Sequence, residues 1–190
     1  MSFPVSGIES ERLILVPPDV RYSEEIFKEF TSRVTEYMFP KPSRNLDEAR
    51  GVVKTFVEQF ENQSDLVLVV LEKTRNEFLG CVGFHGIANE VPELGIWIKE
   101  GAFGKRYGFE AVETLVDWAA AQNRWRLAQY PVDRRNIPSR KIAEALGGTV
   151  VKEYRKVNQI GKELDEVEYE IPIADRLAKH QGGHRLRPLS

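Results

Sequence analysis

Three apolar, β-rich runs follow one another in the middle of the chain, and they constrain the fold more than any other feature. They are LVLVVLEK (66–73), FLGCVGFHGI (78–87) and VPELGIWIK (91–99). The segments that separate them, TRNE and ANE, have the length and composition of hairpin turns. Three antiparallel strands in sequential order are the simplest arrangement of such runs. The chain is therefore predicted to build its core on a sheet.

Helices and further strands are predicted on both sides of these runs. Asn45 can cap a helix from about Leu46, because Glu48 follows it by three positions and apolar residues then recur at helical spacing. The predicted order is β-α-α-β-β-β-α-β-α-β-β, which is an α/β fold with helices on the faces of the sheet. The other elements are a strand at 12–16, a helix around 26–30, a long helix after Gly104–Gly108, a strand at 126–132, a helix from about Pro138 and a C-terminal hairpin.

Composition limits the class of protein and its partners. A chain of 190 residues, 42% apolar and 29% charged, has the size and make-up of one soluble domain. The formal charge of -2 comes with scattered Lys and Arg, whereas nucleic-acid binding needs concentrated positive charge. The single cysteine, Cys81, excludes an internal disulfide. No apolar stretch approaches the roughly twenty residues of a membrane span. We therefore expect a cytoplasmic protein with no nucleic-acid or membrane partner.

One domain is predicted over residues 1–173. The remaining segment, 174–190, loses periodicity and gathers Gly, Arg and His, so it is predicted to be a flexible tail. His180 and His184 lie in this tail without the companions that a metal site needs, and we expect no metal.

A glycine-rich turn, IKEGAFGKRYGFEAV (98–112), connects the third central run to the long helix. A helix N-terminus offers unpaired backbone N–H groups and the positive end of the helix dipole, which suit a phosphate group. Glycines let an anion approach the main chain closely. The spacing fits neither a P-loop nor a Rossmann turn. By itself the turn is equally compatible with a tight connection between a strand and a helix.

The neighbouring motifs, taken in order, resemble the GNAT superfamily of acyl-CoA-dependent N-acetyltransferases, and the RimJ/RimL type within it. The motifs are ERLIL, FLGCVGFHGI, PELGIWI, GKRYGFEAVETLVDWA and RRNIPSRKIAEALGG, and the resemblance covers about residues 11–173. It implies a single GNAT-like domain with a mixed, mostly antiparallel sheet flanked by helices. It also implies that acetyl-CoA is the cosubstrate and that the glycine-rich turn binds its pyrophosphate.

The match of the turn to the family pattern is partial. Phe103 stands where relatives carry a polar Arg or Gln, Arg106 replaces the middle glycine, and Gly108 agrees with the pattern. Backbone N–H groups can donate whatever the side chains are. The resemblance implies that the cofactor contacts the turn, the strand before it and the start of the following short helix: Ile96, Trp97, Ile98, Phe103, Gly104, Lys105, Arg106, Tyr107, Gly108, Asn136 and Ser139.

Acetyl transfer to an amine needs a neutral nitrogen, a polarised thioester carbonyl and a proton for the leaving thiolate. Glu93 in PELGIWI stands where RimJ/RimL-type sequences place a Glu, and we predict it as the base. Ser139 in NIPS matches the family's proposed proton donor to the thiolate. Each has an ordinary alternative, a salt-bridge carboxylate for Glu93 and a backbone-bonding first-turn residue for Ser139.

Tyr37, Phe39 and His85 are the candidates for the acceptor pocket, because the YMFP loop lies where the family builds one side of that pocket. The expected acceptor is a protein N-terminal amine or a small-molecule amine. Relatives in this family commonly form dimers, so a homodimer is possible, although the sequence does not decide it. The competing hypothesis is a non-catalytic acyl-CoA-binding module of the same fold, motivated by Phe103, Arg106 and by Gly148, where relatives carry Phe.

Overall fold

One mixed sheet of eight strands runs through the part of the chain that the structure describes. The fold comes from a computed structural model, which describes residues 3–4, 6–174 and 176. The strand order is β1-β2-β3-β4-β5-β6-β8-β7, and every neighbouring pair is antiparallel except the parallel pair β5–β6. The strands are β1 (Ile8–Glu9), β2 (Leu13–Val16), β3 (Leu66–Glu72), β4 (Glu77–His85), β5 (Glu93–Ile98), β6 (Leu127–Asp133), β7 (Thr149–Val157) and β8 (Glu163–Pro172).

Four α-helices flank this sheet: α1 (Ser23–Glu29), α2 (Leu46–Glu61), α3 (Tyr107–Ala121) and α4 (Ile137–Ala145). The α2 cap is the predicted one, since the Asn45 side chain accepts a hydrogen bond from the Glu48 N–H at 2.9 Å. Short 3₁₀ turns precede α1 at Val20–Tyr22 and follow β5 at Glu100–Ala102.

The two faces of the sheet carry separate apolar cores. Alternate residues of β3 divide between them, because successive side chains of a strand point to opposite faces. Leu66, Leu68 and Val70 join the larger core with Val112, Leu115 and other α3 residues. Val67, Val69 and Leu71 join a smaller core that includes Ile26 of α1 and Val53 of α2. Helices α1 and α2 therefore cover one face, and α3 covers the other.

The predicted fold class and order of elements are confirmed, and the differences are local. The structure adds the two-residue strand β1, whose brief pairing with β2 leaves no periodic signal in the sequence. Most of the predicted tail lies outside the described residues, so its flexibility stays a prediction. Arg176 is described: its guanidinium contacts Asp117 of α3 at 2.6 Å and Glu113 at 3.3 Å. Arg176 therefore pairs with two carboxylates of α3.

The parallel strands β5 and β6 diverge soon after they meet. In the described chain their register contains a single pair of Cα partners, Glu93 and Gln129, supported by a 2.8 Å hydrogen bond from the Gln129 N–H to the Pro92 carbonyl. Beyond Glu93 the β6-facing backbone of β5 has no registered partner on β6. The sheet thus opens at its centre, towards the glycine-rich turn.

Gly80 allows β4 and β5 to approach closely at a bulge. The β3–β4 register shifts between Val70 and Leu71, opposite this part of β4. A Cβ atom at Gly80 would lie 2.1 Å from the Trp97 carbonyl oxygen, a distance that no real contact allows.

We expect Gly80→Ala to lower the free energy of unfolding by roughly 2–4 kcal/mol, because the new methyl group must push two central strands apart. Gly51→Ala is the matched control: it lies inside α2 with no atom within 4 Å of its Cβ position. There the change should raise stability by about 0.5–1 kcal/mol. Thermal and urea unfolding of both variants measure the difference. Equal stability of the two variants would contradict the assigned approach of the strands.

Candidate active site

The glycine-rich turn presents the N-terminus of α3 without a side-chain cap. Gly104 has φ of 75° and Arg106, the N-cap residue, has φ of 63°, so both adopt left-handed backbone conformations. The N-cap side chain makes no capping hydrogen bond to the backbone N–H groups of the first helical turn. The early N–H groups of α3 are therefore available to an anion. The Arg106 guanidinium itself lies over the Phe109 ring, 5.1 Å from its centroid.

Arg12 and Glu110 anchor this turn to the start of the sheet. Glu110, in the first turn of α3, accepts hydrogen bonds from the Arg12 backbone N–H at 2.8 Å and from its guanidinium at 2.7 Å. The same guanidinium donates to the Lys105 carbonyl at 3.1 Å and lies over the Tyr107 ring. Because a trans peptide points its C=O and N–H in opposite directions, the Arg106 N–H is turned away from Arg12. Arg12 thereby fixes the orientation of the turn.

A cavity of about 760 Å³, here called the α3 cavity, lies beside the turn. It extends from Gly104 and Gly108 along β5 to the first turn of α4. A Cβ at Gly108 would contact Ile142, Ile98 and Ile96 at 3.4–3.9 Å, so this glycine widens the slot between α3, β5 and α4. The predicted cofactor residues that line it are Ile96, Trp97, Ile98, Phe103, Gly104, Arg106, Tyr107, Gly108, Asn136 and Ser139. Lys105 contributes its carbonyl to Arg12 and is not among the lining residues.

Ser139 and Tyr130 form a hydrogen-bonded pair at the far end of the α3 cavity. Their hydroxyl oxygens are 2.7 Å apart, and Tyr130 is buried in β6. Burial raises the pKa of Tyr130 to about 12, against a smaller opposing effect of the Ser139 hydrogen bond. Tyr130 therefore keeps its proton near neutral pH. When it donates to Ser139, the Ser139 hydroxyl hydrogen is available to another acceptor. The Asn136 side-chain oxygen caps α4 through the Ser139 N–H, which leaves its NH₂ group as a donor.

A second cavity, here called the α2 cavity, has a volume of about 730 Å³ and lies between α1, α2 and the face of β4 and β5. Its floor includes Gly83 and Gly95, which are register partners on β4 and β5. Met38, Ile96 and Trp97 line both cavities. The two cavities therefore meet at the opening between β5 and β6.

His85 lies flat over this glycine floor. Its Nδ1 is 2.7 Å from an Asp65 carboxylate oxygen, and the other Asp65 oxygen accepts from the Gly86 N–H at 2.9 Å. A Cβ at Gly83 would lie 2.3 Å from the His85 Nε2 atom, and one at Gly95 would lie 3.3 Å from it. Burial alone would lower the pKa of His85, but the Asp65 hydrogen bond and the charges of Asp65 and Glu93 outweigh it and raise the pKa.

Glu93 is the cross-strand partner of His85 on β5. Although its residue surface is exposed, the surrounding protein displaces enough water to raise the pKa of its carboxyl group. His85 and Lys156 oppose this effect, and Glu168 adds to it. The predicted base thus stands at the point where β5 and β6 separate, beside a histidine held by a carboxylate.

The predicted pocket residues of the YMFP loop lie apart from His85. Tyr37 lines the α3 cavity, and Phe39 is exposed with Lys156 over its ring. The loop docks on the β7–β8 turn, where the Asn158 side chain donates to the Met38 carbonyl at 3.2 Å. This docking places Met38 between the two cavities.

The sequence analysis did not identify three residues that position the candidate active site: Arg12, Asp65 and Tyr130. Only Tyr130 could have been found from the local sequence, because it lies nine residues before Ser139, on the strand β6 that precedes α4. Cys81 is buried and its pKa is raised by burial, which agrees with a packing role. Among the residues that the structure describes, no group of three His, Cys, Asp or Glu side chains is arranged to hold a metal ion.

This arrangement, an uncapped helix N-terminus at a split sheet with two joined cavities, is the context for the class of protein. Residues 12–149 match the acetyltransferase (GNAT) domain family, and the chain belongs to that family. It is an N-acetyltransferase. The predicted family, fold and enzyme class are confirmed.

Individual relatives share this fold at low sequence identity. The chain is 25% identical over 141 residues to an uncharacterised N-acetyltransferase, p20, from Bacillus licheniformis, covering 72% of this chain and 79% of the relative. A structure described as a putative ribosomal-protein-serine acetyltransferase from Vibrio cholerae superposes with a TM-score of 0.74 at 17% identity, over 90% of this chain and 99% of that one. RimL, a ribosomal L7/L12 alpha-N-protein acetyltransferase in complex with coenzyme A, gives 0.77 at 16% identity, over 87% and 96%.

Across the described positions, no helix has the length and apolar character of a membrane span.

We expect Asp65→Asn to lower the pKa of His85, because it removes the charge and weakens the hydrogen bond that favour the protonated ring, while burial still disfavours it. NMR titration of the imidazole signals measures this, with the His85 signal identified by its loss in His85→Asn. Asp47→Asn, which removes a carboxylate that is 90% exposed on α2, is the control and should leave the titration unchanged. An unchanged His85 pKa in Asp65→Asn would contradict the assigned pairing.

Proposed function

We propose that the protein transfers the acetyl group of acetyl-CoA directly to a primary amine, with general-base assistance. The observation that carries this proposal is the meeting of the two cavities at Met38, Ile96 and Trp97, where β5 leaves β6. One cavity reaches an uncapped helix N-terminus, and the other is lined by the half-buried His85, whose Nδ1 is paired with Asp65. A two-substrate reaction needs such a junction, because the reacting atoms must be held in contact.

The α3 cavity fits acetyl-CoA. The uncapped N–H groups at the start of α3 suit the pyrophosphate, and Gly104 leaves open space within 4 Å of its Cβ position. The slot widened by Gly108 would receive the pantetheine arm between β5 and α4. The unpaired edge of β5 between Ile96 and Ile98 would donate to the thioester oxygen. RimL in complex with coenzyme A, which has this fold, supports the same choice of cosubstrate.

In the transfer, the amine nitrogen forms a bond to the acetyl carbonyl carbon, the C–S bond breaks, and the nitrogen loses a proton while the thiolate gains one. Glu93 accepts the proton from the amine, directly or through a water molecule, because its raised pKa makes it a stronger base than an ordinary carboxylate. Ser139 donates to the thiolate and is supported by the hydroxyl of Tyr130.

The acceptor is a protein N-terminal amine or a small-molecule amine, and the setting is cytoplasmic, without nucleic-acid or membrane partners. A homodimer is compatible with the fold. The alternative remains a module that binds acyl-CoA without turnover. Release of free thiol from acetyl-CoA in the presence of amines separates the two, because a sensor would bind acetyl-CoA and release none.

Arg12→Ala should weaken the binding of coenzyme A about tenfold, because the Lys105–Arg106 peptide loses the charged group that orients it. S-Acetylpantetheine lacks the pyrophosphate, so its kcat/KM should not change. The comparison of the two thioesters separates an effect on the turn from general loss of structure. Equal losses for both would show that Arg12 supports the fold and does not orient the turn. Arg50→Ala, on the exposed surface of α2, is the control.

Glu93→Gln should lower kcat on the order of a hundredfold at neutral pH and leave the affinity for acetyl-CoA unchanged, since it removes a proton-transfer group. The loss should shrink as pH rises and more of the acceptor is already neutral. Steady-state kinetics over pH 6–10 and calorimetry with coenzyme A check both parts. A Glu93→Gln enzyme with full activity at pH 7 would remove Glu93 from the mechanism.

A further inference from the structure

The α2 cavity has apolar walls around a polar end. Its walls include the side chains of Phe30, Val52, Phe56 and Trp97. The rings of Phe30 and Trp97 already pack against each other, with centroids 4.9 Å apart. A volume of about 730 Å³ is that of a site for a small molecule or a few residues of peptide. These walls suit an apolar body, since an aromatic ring placed between them would be removed from contact with water on all its sides.

The cavity exists because the smaller core ends at two glycines. Towards one end of the sheet this core is filled by Val69, Leu71 and Phe78. Gly83 and Gly95 carry no side chains of their own, so the His85 ring fits directly above them and the space beside Phe56 and Trp97 stays open. His85 occupies the glycine floor and brings its Nε2 atom to this space.

The polar end of the cavity is arranged to accept a hydrogen bond. Asp65 holds Nδ1 of His85 at 2.7 Å, so the neutral ring carries its proton on Nδ1 and the lone pair on Nε2. An amine N–H can donate to this lone pair. Glu93 is the register partner of His85 on the neighbouring strand, and its charge acts on the imidazole.

The charged side chains along the cavity have partners within the protein or lie at the surface. Glu48 accepts from the Arg44 N–H at 2.7 Å and from its guanidinium at 3.1 Å. Lys41 is exposed, and its backbone N–H bonds to the Gln159 side chain. The cavity walls therefore favour an uncharged, apolar body over a second charged group.

We propose, on the basis of the function proposed above, that the acceptor is a primary amine carried on an aromatic-sized apolar group. The apolar group packs between α2 and Trp97, and the amine donates to His85 Nε2 next to Glu93. A small polar residue such as an N-terminal serine would leave the aromatic walls unfilled. The same chemistry is offered by an aromatic alkylamine and by a peptide whose first residue is aromatic.

The test compares amines that differ only in the apolar group. Purified protein with acetyl-CoA is assayed for thiol release with 2-phenylethylamine against ethylamine, and with a tripeptide beginning with Phe against one beginning with Ser. The aromatic member of the preferred pair should show a kcat/KM about 100-fold higher. Preference within the alkylamine pair alone indicates a small molecule, and preference within the peptide pair alone indicates a protein N-terminus.

Two variants connect the preference to the cavity. Val52→Asn changes a wall residue that is 41% exposed and should reduce the aromatic preference at least about fivefold, whereas Val20→Asn, at 51% exposure away from the cavity, should not. His85→Asn keeps an N–H near Asp65 and removes Nε2. It should raise the KM for the amine about tenfold, with the coenzyme A affinity unchanged.

The outcomes are separable from those of the proposed function. Faster transfer to ethylamine and to the Ser peptide, or equal rates within each pair, overturns this inference and leaves acetyl transfer established. An aromatic preference that survives in Val52→Asn, or an amine KM that is unchanged in His85→Asn, also overturns it, since the apolar group or the amine would then be held by another surface. Binding of coenzyme A without transfer to any amine overturns both.

Discussion

The separation of β5 from β6 is the constraint on which the rest of the structure depends. Parallel strands normally gain a hydrogen bond at each step, and here the described register stops at Glu93 and Gln129. The unpaired edge lies where the α3 cavity and the α2 cavity meet. Backbone groups that leave a ladder need other partners, because buried unpaired groups are costly. A thioester carbonyl and the amide groups of a pantetheine arm supply acceptors and donors of the required kind.

Both cavities lower the stability of the fold, and the loosely packed residues are confined to one part of the sheet. Glycines in central strands forgo side-chain packing, and empty apolar volume forgoes dispersion contacts. Gly83 and Gly95 lie opposite each other at the floor of the α2 cavity, whereas Phe78, further along β4, is buried in the smaller core. The loosened packing is therefore local. This region of loosened packing also contains two titratable side chains, His85 and Glu93.

The electrostatics of the acceptor side follow from the same geometry. The Glu93 carboxylate, although exposed, and the half-buried His85 imidazole each lose part of their hydration, and the charge of each partly compensates this loss for the other across the strand pair. Asp65 adds a hydrogen bond to one member only, which fixes its tautomer. The result is a pair of groups in which the charge of each shifts the pKa of the other.

Much of the fold was predictable because its signals are local. Continuous apolar, β-rich runs indicated the central strands, and Asn45 indicated the start of α2. The site was predictable only as far as its residues lie in motifs of the GNAT family. Asp65 and Arg12 were not, since Asp65 meets a residue 20 positions away and Arg12 meets one 98 positions away. Such pairs depend on strand register, which no single stretch of sequence contains.

The structure gives a physical reason for two of the residues that depart from the family pattern. Arg106 adopts the left-handed conformation that a glycine would adopt more easily, at a strain of about 1 kcal/mol. The bonds from Arg12 to Glu110 and to the Lys105 carbonyl hold the turn on both sides of it. At Gly148, a Cβ would lie 2.8 Å from the Ala143 carbonyl oxygen, so the backbone itself excludes the Phe of relatives. Of the three residues that motivated a non-catalytic module, two are thus explained by local packing. Phe103, exposed at the α3 cavity, is the one whose difference from a polar residue bears on the proposed cofactor site, since a phenyl ring offers no hydrogen-bond donor there.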